Sequence, residues 1–81
     1  MTEATAEITA VLDVRGLPCA NRRAIIFGHF DSLVPGQAIE IVNDHDPVGL
    51  KSHFAERAPG GFGWRPLEAG PDVWRIEIAR N

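Results

Sequence analysis

Cys19 is the single cysteine of the chain, and three guanidinium groups lie close to it in sequence: Arg15, Arg22 and Arg23. The residues before Cys19 read as a strand and those after it as a helix. The positive end of a helix and neighbouring cations both favour thiolate over thiol. The pattern therefore points to an activated thiol, with a pKa expected below the free-cysteine value of about 8.5. Arginines at a helix start oppose the macrodipole at a cost on the order of a few tenths of a kcal/mol. An anion held there, whether thiolate, persulfide or ligand, would offset that cost. The alternative is a small core hydrophobe, since free cysteine is among the most buried residue types.

A second constellation is Asn43-Asp44-His45-Asp46. Flanking carboxylates orient an imidazole and favour its charged form. His45 is thus open to three roles, as metal ligand, general acid/base or ligand-binding group. The plainer alternative is a polar loop. Asp46 before Pro47 has the sequence of an N-cap followed by proline at the first helical position. On that reading Asp46→Ala costs about 1 kcal/mol. His29 falls at a helical spacing with Ile26, Phe30 and Leu33 and is expected in the core; His53, beside Phe54, is expected to be partly exposed. No close pairing of the three histidines suggests a metal centre, and no cofactor motif is present.

The elements that must position these residues follow from period and punctuation. Residues 10–14 and 37–43 alternate as strands, and a helix is expected from about residue 21 to 33, ended by Val34-Pro35-Gly36. Gly28 inside it is read as a point of close packing on the sheet. A second helix starts at Asp46-Pro47 and stops near Ala58-Pro59-Gly60-Gly61. Residues 62–67 and 73–79 are two further strands, and Pro66 marks the first of them as an edge or a bulge. Trp64 and Trp74 on these strands are read as packing residues. The order is βαβαββ. A right-handed β-α-β crossover makes the first two strands parallel. The fold class is then α/β (α+β): a two-layer sandwich, with a four-stranded mixed sheet and both helices on one face. Residues 1–8 form a flexible tail and residues 9–81 a single domain. Because both β-to-α loops leave parallel strands at the same end, Cys19 and the Asn43–Asp46 loop converge there, where α/β folds bind ligands.

Composition narrows the function classes. The chain has 81 residues, room for one small domain. Its hydrophobic content of 44% belongs to a globular chain. Eleven acids against eight bases give a net charge of −3, which argues against nucleic acid as partner. No apolar run is long enough to span a membrane, and the first residues lack the pattern of a secretory signal. A single cysteine excludes an intramolecular disulfide framework, and a reducing cytoplasm is the expected location.

Leu12-Asp13, Gly16-Leu17 and Cys19 resemble the Leu-Asp-x-x-Gly-Leu-x-Cys-Pro-x-Pro motif of the TusA/SirA-like sulfur carriers, with Ala20 and Arg22 at the two proline positions. Leu12-Asp13-Val14-Arg15, Asn43-Asp44-His45-Asp46-Pro47 and Gly70-Pro71-x-Val73-Trp74-Arg75 look like an uncharacterised bacterial branch of that fold, a domain of unknown function often beside or fused to hemerythrin-like domains. The resemblance implies a small cytoplasmic βαβαββ protein that carries sulfur as a persulfide on Cys19, more a carrier or accessory protein than a turnover enzyme. Arg15, Arg22 and Arg23 would stabilise the anion, with Asn43, Asp44, His45 and Asp46 as further ligand-binding residues. The partners implied are proteins: sulfur-relay or redox proteins, or a hemerythrin-like domain. The rival expectation is a binding module without covalent chemistry, whose Asn43–Asp46 loop takes a partner domain, a metal or a small ligand.

Overall fold

The computed structural model describes residues 7–81, with every side chain in that range except that of Cys19. The elements are β1 (Glu7–Asp13), α1 (Cys19–Asp31), β2 (Gln37–Asn43), α2 (Val48–Arg57), β3 (Phe62–Ala69) and β4 (Trp74–Arg80). The sheet order is β1-β2-β4-β3. β1 runs parallel to β2, and the other pairs are antiparallel. This is the expected βαβαββ sandwich with a mixed sheet.

Alternation along the strands builds the core. Ile39 and Ile41 of β2 lie opposite Ile78 and Ile76 of β4. All four are buried, together with Ile26 and Phe30 of α1, Leu33 and Phe54 of α2. One apolar cluster takes in both helices, so both cover the same sheet face. Phe54 is its hub. Its ring centroid lies 4.5 Å from Phe27, 4.9 Å from Phe30, 5.4 Å from Phe62 and 6.2 Å from Trp64. Tilted and edge-to-face contacts of this kind add to the burial of area. The other sheet face is held by charge. The Glu40 carboxylate, almost wholly buried, accepts from Arg75 Nε at 2.8 Å.

Several local expectations are corrected. Glu7 and Ile8, expected in the tail, pair with Gln37 and Ala38 in β1; residues 1–6 lie outside the described residues. α1 opens at Cys19, two residues early, behind Pro18 in an extended conformation that makes no side-chain cap. α2 opens at Val48. Pro47, at φ −82° and ψ 48°, is the capping residue, and no side chain caps the helix. Asp46 is therefore one position too far back to serve as N-cap, and the expected cost of Asp46→Ala falls away. His29 is exposed, not in the core. The buried stripe of α1 is turned towards Phe27, which faces α2, and that rotation carries His29 out of it. A Cβ on Gly28 would meet nothing within 4 Å, so Gly28 makes no close approach to the sheet.

The punctuation at Pro66 has both readings at once. β3 is an edge strand, and its register with β4 shifts between Pro66 and Glu68. Gly70 is required by both conformation and space: its φ is +70°, and a Cβ there would stand 2.6 Å from Cζ2 of Trp74.

Phe54→Ala should destabilise the fold by about 3–5 kcal/mol, the range for truncating a buried aromatic. Urea denaturation followed by tryptophan fluorescence measures it. A loss below about 1 kcal/mol would remove Phe54 from the centre of the core.

Candidate functional site

β1 and β2 end side by side, and the chain leaves each of them into a helix at the same end of the sheet. One side chain ties the two exits together. Arg22, one turn into α1, donates from Nε to the Leu17 carbonyl at 2.6 Å. Its Nη1 donates to Asn43 Oδ1 at 2.6 Å and to Asp44 Oδ1 at 3.2 Å. The Arg22 side chain is only 13% exposed, and Asn43 is buried. A hydrogen bond to a charged group contributes more than a neutral one, and more where water is excluded. Asn43 Oδ1 also accepts from the backbone N–H of Asp44 at 3.1 Å, which shapes the loop.

Beyond Asp44 the loop presents His45. The Asp44 carboxylate accepts from His45 Nδ1 at 2.7 Å. This contact and the one with Arg22 hold the Asp44 carboxyl below its ordinary range, that from His45 being the larger. The contact orients the imidazole, with Nδ1 towards Asp44 and Nε2 away from it. Across the gap, Arg23 Nη1 donates to Nε2 of His53 on α2 at 2.8 Å.

Between these groups lies a cleft of about 190 Å³. Val14, Ile26, Pro47 and Leu50 supply its apolar lining; Arg22, Arg23, Asn43, His45 and His53 supply the polar part. Gly49 adds no side chain to the wall. Val14 and Ile26 are fully buried, so the floor is part of the core.

The residues singled out in the sequence divide three ways. Arg22, Arg23, Asn43 and His45 line the cleft, and Asp44 braces two of them from outside. Arg15 and Asp46 do not line it. Arg15 turns to its near neighbour Asp13, with Nε and Nη2 at 2.9 and 2.7 Å from the carboxylate. Cys19 is the first residue of α1, at this same end of the sheet. At helical spacing, positions 19, 22, 23 and 26 follow one face. The side chain of Cys19 lies outside what is described. Of the three arginines, then, one is a clamp between loops, one faces α2 and one is neutralised at the end of β1. His53 was not legible as a site residue. Its partner Arg23 lies thirty positions away, and no spacing rule links two helices. Among the described residues, no three His, Cys, Asp or Glu side chains are grouped to hold a metal ion. No helix among them is long and apolar enough to cross a membrane.

A four-stranded mixed sheet backed by two helices in βαβαββ order defines a TusA-like α+β domain. The chain belongs to the family described as "Uncharacterized conserved protein (DUF2249)", whose profile matches residues 11–80. No curated protein and no solved structure matches the chain.

Two outcomes follow from this geometry. Asn43→Ala removes one of the three acceptors of a nearly buried guanidinium and should destabilise the protein by about 1.5–3 kcal/mol, read by thermal denaturation. The second concerns Asp13. The side-chain hydrogen bond from Arg15, then that from the Arg15 backbone N–H, lower its pKa to about 2. A depressed carboxylate contributes stability above its unfolded pKa and loses it as pH falls through the folded value. The Asp13 carboxyl should therefore titrate near pH 2 by NMR, and Arg15→Ala should return it to the ordinary carboxylate range.

Proposed function

We propose that the protein is a small binding module that works through the cleft at the C-terminal ends of β1 and β2. The observation that carries this reading is the cleft itself, where a core-buried apolar floor meets a rim of convergent polar groups. Ligand sites are mostly apolar concavities with a few placed polar groups, and open α/β sheets bind at this end of their strands. The polar groups are held before any ligand arrives, by the Arg22 clamp and by the contacts of Asp44 with His45 and of Arg23 with His53. Side chains already ordered lose less entropy on binding.

The position of Cys19 favours a second reading, the sulfur carrier. Cys19 opens α1, where the helix dipole favours a thiolate, and the fold is that of the sulfur carriers it resembles. The thiolate would attack the outer sulfur of a donor persulfide, release the donor thiolate, and hand the sulfur to an acceptor protein. Its partners would be sulfur-relay or redox proteins of a bacterial cytoplasm. A hemerythrin-like domain would suit either reading as the partner.

Native and denaturing mass spectrometry of protein isolated without reductant separates the two. A bound small molecule that is lost on denaturation supports the binding module. A gain of one sulfur atom that survives denaturation, disappears with reductant and is absent from Cys19→Ser supports the carrier. Protein with neither addition, from cells in several growth states, would count against both.

A further inference from the structure

We infer that the cleft is a site for a small organic monocarboxylate with an apolar body, its carboxylate on Arg23 and its body against Val14, Ile26 and Leu50. The inference rests on the binding-module reading and names its ligand class. Charge is the first argument. The chain has more acids than bases, yet no described carboxylate lines this cleft. Arg22 is already answered by Asp44 at 3.2 Å. Arg15, Arg57, Arg65 and Arg75 also have a carboxylate within 4.0 Å. Arg23 has none among the described residues and meets a neutral acceptor, the Nε2 atom of His53. The cleft therefore holds one guanidinium charge that the described residues do not balance. That charge suits a monoanion better than a dianionic phosphate.

Geometry is the second argument. A guanidinium carries five donors in a planar fork that matches a carboxylate. His53 takes one of them and holds the plane in position, which makes His53 a positioning residue. Volume and lining are the third. An apolar cavity of about 150 Å³ accepts a benzene ring. The cleft, at about 190 Å³, has room for a body of that size with its acid group at the rim. The apolar lining of Val14, Ile26, Pro47 and Leu50 offers hydroxyl groups no partners, which disfavours a hydroxyl-rich ligand.

The test is an NMR titration of the full chain, labelled with nitrogen-15, at constant ionic strength. The probes are benzoate, neutral benzamide and inorganic phosphate. Benzoate should move the backbone amides of Arg23, Ile26, Gly49 and His53. Benzamide and phosphate should each bind about 10-fold more weakly, the equivalent of about 1.4 kcal/mol. Arg23 is exposed, so Arg23→Gln should keep the spectrum of the sheet while weakening benzoate about 10-fold. Arg80→Gln, at a cation outside the cleft, should leave benzoate binding unchanged. Equal binding of benzoate and benzamide, tighter binding of phosphate, or an Arg23→Gln variant that binds as well as wild type would overturn the assignment. If no probe moves these amides while native mass spectrometry still finds a non-covalent adduct, the carboxylate assignment fails and the binding module stands.

Discussion

The arrangement at the working end of this domain depends on one buried, charge-assisted contact, that of Arg22 with Asn43. Two parallel strands deliver their loops to the same end of a sheet, but nothing in strand pairing fixes how those loops lie. The Arg22 guanidinium does so by bonding to the Leu17 carbonyl on one side and to Asn43 and Asp44 on the other. The first turn of α1, the end of β2 and the start of the loop beyond it become one unit. Asp44, steadied by Arg22, in turn orients His45. The cost of holding a guanidinium at 13% exposure is met by three acceptors, two of them at 2.6 Å.

Behind this unit stands the aromatic centre of the core. Phe54 joins α2 to Phe27 and Phe30 of α1 and to Phe62 and Trp64 of β3. It thereby sets the separation of the two helices. At the other end of α1, Arg57 pairs with Asp31 and lies 4.8 Å over the Phe27 ring. The helices are pinned at the middle and at that end. Towards the opposite end Arg23 and His53 meet across the two helices, and the cleft lies beside that contact. In a domain this small, core and site share residues. Val14 and Ile26 are at once core and floor.

The polar pairs around the cleft differ in kind from those at the domain's margins. Arg15 with Asp13 at the end of β1 is an exposed pair between near neighbours, the class that contributes little to stability. Its effect is to take Arg15 out of the set of cations available to a ligand or a thiolate. On the open sheet face, Glu40 is almost fully buried, and the Arg75 pair satisfies a charge placed there by strand alternation. Charge count in sequence therefore overstates how many cations the cleft presents. Arg23 remains after the local pairs are assigned.

Much of the fold was legible in the sequence. The alternation of Ile39 with Ile41 and of Ile76 with Ile78, the Pro35-Gly36 stop and the Pro66 interruption are local signals, and each acts over one element. Because the topology follows from their order, even the convergence of residues 19–23 with the Asn43–Asp46 loop could be read in advance. Element ends were less legible, since Pro18 and Pro47 both open their helices without a side-chain cap. His29 was misplaced because the direction in which α1 faces is set by Phe27 meeting Phe54, a contact between two helices. The site divides along the same line. Residue types and the end of the sheet at which they gather were determined by the sequence. Which arginine clamps, which is neutralised and which faces the cleft with His53 was decided by tertiary structure, because each outcome depends on side chains far apart in sequence meeting at one hydrogen-bond distance.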